Sequence, residues 1–254
     1  MNTKQRSERT RLRRLYQRLV DAYGPQGWWP TTPDGEAEAR YHSEGPDRIL
    51  SSEERWEIVV GSLLTQNTSW AGAAESIRAL RAHGALSPWE LAHLDSTELS
   101  RLIKPSRYHN QKARRLQALA SYVLDRYSGD VTTFLGCGRP DLSDRELRDE
   151  LLVLDGIGPE TADSILLYAA QRPVFVIDAY TKRICARLGF VEERVSYEEL
   201  QALFVNSLKG DTLDYNEYHA LLVRHAVEHC RVQPLCSGCC LRRSCRYVGR
   251  MKEG

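Results

Sequence analysis

Near the carboxyl end, Cys230, Cys236, Cys239 and Cys245 are separated by five, two and five residues, and a fifth thiol, Cys240, adjoins the third. Cysteines crowded in this way, in a chain that opens on a basic rather than an apolar run, read as metal ligands and not as disulfide partners. A structural zinc site usually takes two Cys-x2-Cys pairs, and only one pair here has that spacing. Four thiolates are also the ligand set of a [4Fe-4S] cluster. Cys240, beside Cys239, is a poor fifth ligand and reads as packing. Arg242, Arg243 and Arg246 lie among the ligands, so a loop closed on metal would hold fixed positive charge toward phosphates, and a segment with few apolar residues would take its order from the metal.

A second chemical constellation is "LLVLDGIGPETADSILLYAA", residues 151–170. Its pattern Leu154-x-Gly156-x-Gly158-x-x-Thr161-Ala162 spells a tight turn between two helices, with Ile157 between the glycines. The glycines permit positive φ and bare the backbone amides to a phosphate. Pro159 suits a first helical turn, whose dipole adds positive potential at the same place. Glu160 follows at the mouth of the second helix. Further on, "VFVIDAYTKRIC" sets Asp178 just before another helix, where its side chain can cap the helix and leave one oxygen free. Considered alone, Asp178 is a cap and no more.

The elements that must position these groups are helical. "RLRRLYQRLVDAYG" spaces Leu12, Leu15, Leu19 and Val20 on one face and stops at Gly24. "RWEIVVGSLLTQNTSWAGAAESIRALRAHG" predicts two helices broken around "TQNTSW", the second capped by Thr68 or Ser69. Short helices follow in "SPWELAHLD" and "DSTELSRLIK", then a long amphipathic one in "NQKARRLQALASYVLDRYSGD". "SDRELRDELLVLDGIG", "AYTKRICARLG", "SYEELQALFVNSL" and "NEYHALLVRHAVEHC" supply the rest, and no alternating strand pattern appears. The fold class is all-α. Residues 31–54, polar with Pro and Gly, read as an excursion or loop. At 254 residues the chain is long enough for one large domain or two lobes. There is no apolar run of about 18 residues and no leader, which predicts a cytoplasmic protein without a membrane span. A net charge of +1 argues against coating nucleic acid by bulk charge, but basic residues gather at 4–18, 104–115 and 241–252, which can form a local phosphate-binding face.

Together, Gly156, Gly158, Thr161, Ala162, Asp178 and the cysteine cluster resemble the helix-hairpin-helix DNA glycosylases of the endonuclease III superfamily. "LLTQNTSW" resembles the segment carrying a glutamine that fills the gap in DNA, here Gln66. "IKPSRYHNQKA" resembles the loop that drives a wedge residue into the duplex, here Tyr108 beside Arg107. The likeness runs from about residue 12 to 245. It implies a two-lobed fold, with a six-helix barrel over residues 47–171 ending in the hairpin. A second lobe would form from 1–46 plus 172–254 and carry a [4Fe-4S] cluster on Cys230, Cys236, Cys239 and Cys245, with DNA across the cleft between them. The first ligand gap is one residue shorter than in endonuclease III.

The resemblance further implies a monomeric base-excision-repair glycosylase acting on double-stranded DNA with a damaged base, nucleoid-associated when bound. In bifunctional members a lysine two positions after the second hairpin glycine forms a Schiff base with the sugar. Glu160 stands there, and a carboxylate forms none. The implied enzyme is therefore monofunctional, with Asp178 stabilising the oxocarbenium-like sugar or activating water, and Lys182 touching phosphate or solvent. "GPQGWWP" and Trp70 resemble the 3-methyladenine branch, in which aromatic rings line the flipped-base pocket. Trp28, Trp29, Pro30 and Trp70 would stack on a cationic alkylated purine and Glu160 would lend it a carboxylate. The plainer reading of the adjacent tryptophans is core cover at a helix end. Two departures stand out: Ala226 and Val227 replace the Gly-Lys that follows a histidine in that branch, and Arg107-Tyr108-His109 replaces a Gly-aromatic-Tyr wedge. An oxidised-pyrimidine glycosylase with weak or no lyase activity, and a non-catalytic damaged-DNA binder, remain alternatives.

Overall fold

The computed structural model describes residues 3–33, 35–42, 48–139 and 141–250. Parts of two segments singled out above, residues 34 and 43–47 of the polar excursion and 251–252 of the basic run, lie outside the described residues, as do the expected lobe boundaries at 46 and 47. The described residues form helices and no strand, with one isolated antiparallel bridge between Thr31 and Arg40. In chain order the helices are α1 (Thr3–Tyr23), α2 (Ser52–Leu64), α3 (Trp70–Ala82), α4 (Pro88–His93), α5 (Ser96–Leu102), α6 (His109–Tyr127), α7 (Val131–Phe134), α8 (Asp144–Leu152), α9 (Pro159–Ser164), α10 (Ala179–Leu188), α11 (Tyr197–Leu208), α12 (Thr212–Glu228) and α13 (Arg246–Arg250). No described helix is long and apolar enough to cross a membrane.

Their starts are written in capping residues. Ser51 with Glu54, Ser143 with Glu146 and Ser196 with Glu199 form complete capping boxes, and Ser69 caps α3 through the Gly72 amide. Each such cap satisfies amides that the helix itself leaves without partners. The chain divides into two compact units: Met1–Trp28, His42–Asp47 and Pro173–Gly254 make one, and Trp29–Tyr41 with Arg48–Arg172 the other.

In the unit that holds the hairpin, α2 is the central strut. Trp56, Ile58, Val59, Val60, Leu63 and Leu64 are all buried, and α3, α6, α7 and α9 pack around it, as befits a helix apolar on every side. Two buried charges on α2 do specific work. Glu57 accepts from the amide and hydroxyl of Thr32 (3.0 and 2.9 Å) and pairs with Arg81 at 2.9 Å, which also donates to the Thr32 carbonyl. That network fastens the 29–33 segment to α2 and α3, and each buried charge in it has a partner, without which its burial would cost several kcal/mol. Arg55 donates to the Ala169 carbonyl and to Gln171 Oε1 at 2.9 Å. These contacts secure the π-helical turn Ile165–Ala169 that continues α9.

In the other unit, α1 packs on α11 and α12 with Leu12, Leu15 and Leu19 buried. The Tyr218 hydroxyl donates to the Leu12 carbonyl at 2.8 Å. Phe175 stacks on Phe204 with centroids 4.0 Å apart, and Tyr215 and Tyr218 meet Phe175 edge-on. This aromatic core anchors the extended segment that leads into α10, and so sets where Asp178 falls.

Candidate functional site

The hairpin uses its glycines unequally. Gly156 adopts φ +82°, and a Cβ there would lie 2.2 Å from Arg115 Cδ. Gly158 has φ −94° and ψ 179° and is the extended N-cap of α9; a Cβ on it would meet nothing within 4 Å. Of the two glycines that permit positive φ, only Gly156 uses it: a single left-handed residue completes the turn, and the second glycine keeps the backbone open to solvent. Ile157 is buried beneath the turn and its amide donates to the Leu154 carbonyl at 3.1 Å. Pro159 and Glu160 are exposed at the head of α9, and Thr161 is buried. Behind the turn Arg148 grips the fully buried Asp163 with two bonds, 2.6 and 3.3 Å, so α8 and α9 are locked together by a charge-assisted fork.

Gln66 belongs to this hairpin. Its Nε2 donates to the Gly156 carbonyl at 2.8 Å and to Thr161 Oγ1 at 2.9 Å, and it sits in the turn between α2 and α3. Tyr108 is 64% exposed at the tip of the loop before α6. It has φ +46° and Arg107 before it φ +58°, two consecutive side-chain-bearing residues in a region that favours glycine. Backbone strain of this kind, at about 1–3 kcal/mol per residue, persists only where the surroundings impose it. Here the 3₁₀ turn Lys104–Ser106 lies so close to α3 that a Cβ on Gly72 would stand 2.5 Å from the Pro105 carbonyl oxygen.

Among the aromatic residues named from sequence, Trp29 is buried, with its indole 5.6 Å from Trp70 in an edge arrangement and 5.4 Å from Tyr168. A Cβ on Gly61 would press on the Trp29 ring at 3.0 Å, so α2 is bare there to receive it. Pro30 is buried beside Trp29 in sequence, and Trp70 keeps part of its surface in solvent. Trp28 falls in the other unit and is half-buried. The loop before it is held by Glu217, which accepts from the Gln26 amide at 2.7 Å and whose carboxyl burial pushes above its ordinary pKa.

Asp178 is 9% exposed and is the N-cap of α10, its Oδ1 accepting from the Thr181 amide at 2.6 Å. The second oxygen is not simply free: Oδ2 faces His219 Nε2 at 3.8 Å. Burial holds the His219 pKa below the usual histidine range, with Asp178 opposing, so the imidazole is neutral near pH 7. Lys182, one turn further, places its ammonium 5.9 Å from the Tyr197 ring centroid. His219 and Tyr168 were not among the residues picked from sequence. Helical spacing, within α12 for one and the π-helical turn Ile165–Ala169 for the other, was their only local signal, and it says nothing of contacts with distant parts of the chain.

Cys230, Cys236, Cys239 and Cys245 line one cavity, together with Ile184, Leu188 and other apolar groups. Arg187 Nη1 donates to Cys230 Sγ at 3.4 Å, and His225 Nε2 lies 3.8 Å from Cys239 Sγ. Among the described residues no trio of His, Cys, Asp or Glu gathers tightly enough for a single ion. Cys240 stands outside that cavity and lines a basic pocket with Arg18, Arg242 and Arg243.

Residues 60–209 match the family model described as the HhH-GPD superfamily base excision DNA repair protein. A Methanocaldococcus jannaschii protein, named as a candidate DNA repair glycosylase, is 37% identical over 91% of this chain and 94% of its own length. The Thermotoga maritima endonuclease III is 28% identical over 78% of this chain and 86% of its own. Among solved structures, a non-covalent endonuclease III–DNA complex superposes with a TM-score of 0.72 at 20% identity, covering 97% of this chain and 99% of that one. A 3-methyladenine DNA glycosylase from H. pylori bound to 1,N6-ethenoadenine gives 0.66 at 23% identity, with 87% and 97% covered. At these identities the structural matches establish the all-α fold.

Proposed function

Because the chain belongs to the HhH-GPD superfamily of base excision DNA repair proteins and is a DNA N-glycosylase, we propose that it is monofunctional and excises an alkylated purine such as 3-methyladenine from damaged double-stranded DNA, as a monomer. The observation that carries this reading is Glu160, an exposed carboxylate at the head of α9, where Schiff-base chemistry would need an amine. Hydrolysis then falls to Asp178. Bonded by the Thr181 amide and faced by the His219 imidazole, its carboxylate would offer negative charge to the oxocarbenium-like sugar or accept a proton from water. An alkylated purine carries its positive charge into the leaving group, departs without a strong acid, and stacks on electron-rich rings. Trp70, backed by Trp29 and Tyr168, supports that preference in the unit that carries the hairpin. Gly156, Ile157, Gly158 and Thr161 would seat a phosphate, Gln66 would fill the vacated space, Tyr108 beside Arg107 would enter the stack, and Lys182 would meet the backbone.

The four cysteines would supply the thiolates of a [4Fe-4S] cluster: they line one cavity, and Arg187 beside Cys230 would offset part of the cluster's charge. Such a cluster would fix the fold of the segment after α12.

The test is base release from duplexes carrying single 3-methyladenine, thymine glycol or uracil residues, read with and without alkali and with borohydride trapping. Release from the 3-methyladenine duplex that yields nicks only after alkali, without a trapped adduct, is expected. A trapped adduct sinks the monofunctional reading. Release from thymine glycol alone would favour an oxidised-pyrimidine specificity, to which the relatives named endonuclease III give weight.

A further inference from the structure

Lys112 stands on the buried face of α6, 2% exposed, in a basic run whose Lys104, Arg107 and Arg114 are exposed. Its ammonium donates to two backbone carbonyls, Leu64 at 2.7 Å and Ser106 at 2.6 Å. Leu64 closes α2, so the charge sits at the negative end of that helix's dipole. Ser106 closes the 3₁₀ turn beneath the wedge loop. The positions are matched: Gln66 lies two residues beyond the first carbonyl and Tyr108 two residues beyond the second. Burial lowers the Lys112 pKa to about 8, a cost that a lysine with an ordinary structural role avoids by reaching water.

We propose that Lys112 is a positioning residue that sets the separation of the two side chains entering the duplex, by tying the turn that bears Gln66 and the loop that bears Tyr108 to one ammonium. The Gln66 side chain is already anchored on the hairpin through Gly156 and Thr161. Hydrogen bonds joined by short stretches of backbone therefore connect the hairpin through Gln66 and its turn to Lys112, and on to the strained pair Arg107–Tyr108. An ammonium suits this place because it can serve two acceptors from one atom, where a neutral side chain of the same length serves none. The proposal rests on the reading of Gln66 and Tyr108 as the inserted residues.

The experiment needs no knowledge of the lesion. The affinity for a duplex containing a tetrahydrofuran abasic analogue is compared with that for the undamaged duplex, for wild type, Lys112→Met, Tyr108→Ala and the double variant, with thermal melts confirming that each is folded. Each single variant should lose roughly tenfold of the abasic preference, about the equivalent of one charge-assisted hydrogen bond. The double variant should lose no more than the worse single one, since residues acting as one unit are non-additive. If Lys112→Met does not fold, Lys112→Gln, a shorter neutral donor able to reach only one carbonyl, takes its place with the same expectation. Full preference in the folded Lys112 variant, or losses that add in the double variant, overturns the proposal, because a merely structural lysine would act independently of Tyr108. Full preference in Tyr108→Ala overturns the wedge reading beneath it.

Discussion

Replacing Asp178 by Asn separates the helix cap seen in the structure from the chemistry proposed for that side chain. Asparagine is as good an N-cap as aspartate, and its carbonyl oxygen can take the place of Oδ1 at 2.6 Å from the Thr181 amide. Folding stability should therefore change by less than about 0.5 kcal/mol. What is lost is the negative charge. Losing one preorganised electrostatic partner of a developing charge costs on the order of 3 kcal/mol in the barrier, about a hundredfold in rate. Alanine at the same position removes the cap as well and should cost about 1 kcal/mol of stability, a fall of about 2–4 °C in melting temperature for a chain of this size. Single-turnover base release from a 3-methyladenine duplex, with the abasic product revealed by alkali, gives the rate, and calorimetry gives the melting temperature. Asp178→Asn should melt like wild type and release base at about one hundredth of its rate. Wild-type release by a folded Asp178→Asn protein that still binds DNA would refute the assignment of chemistry to this carboxylate and leave it a helix cap alone.

Other substitutions probe the remaining parts. Glu160→Lys puts an amine at the head of α9 and should produce a borohydride-trapped adduct with an abasic duplex, seen as a shifted band on a denaturing gel, where wild type gives none. Gly156→Ala forces a Cβ into a φ of +82° and against Arg115; it should cost about 1–3 kcal/mol in denaturant unfolding and weaken DNA binding with it. His219 makes stability pH-dependent: its folded pKa is held below the unfolded value near 6.5, so on acidification through that value the unfolded chain takes up a proton that the folded one resists. Stability contributed by the neutral imidazole is present above about pH 6.5 and declines below it, and His219→Gln should flatten that slope in urea titrations at stepped pH.

The helical architecture was legible because its signals are local. Ser69 was read as a cap of α3 and is one, and Gly24 stops α1 where the apolar spacing ends; the start of α2 at Ser52, by contrast, fell inside residues 31–54, which read as a loop. The hairpin was legible as a turn, yet which glycine needs positive φ was not, since that depends on Arg115 lying over Gly156. Lys112 illustrates the limit from the other side. In "KPSRYHNQKARR" it reads as one more cation on a phosphate-facing surface, and only the three-dimensional course of α2 and the Ser106 turn reveals that it points inward. Trp29 was read as pocket lining or as core cover; its indole is packed on Gly61, Trp70 and Tyr168, and of the two tryptophans in this cluster Trp29 is buried while Trp70 is partly exposed. His219 was passed over because a histidine in an amphipathic helix carries no mark of the carboxylate it faces some forty residues away in the chain.

The partition of the chain has a consequence for the order in which it is made. The hairpin-bearing unit is complete once residue 172 has left the ribosome, and its struts, α2 to α9, are close neighbours in sequence, which favours rapid closure. Helix α1 is synthesised before that unit, but it packs on α11 and α12, which are made after it. Through most of translation its leucine face must therefore wait uncovered. The arginines along the rest of that helix would keep the nascent segment dissolved in the meantime, a service distinct from any contact they make in the finished enzyme.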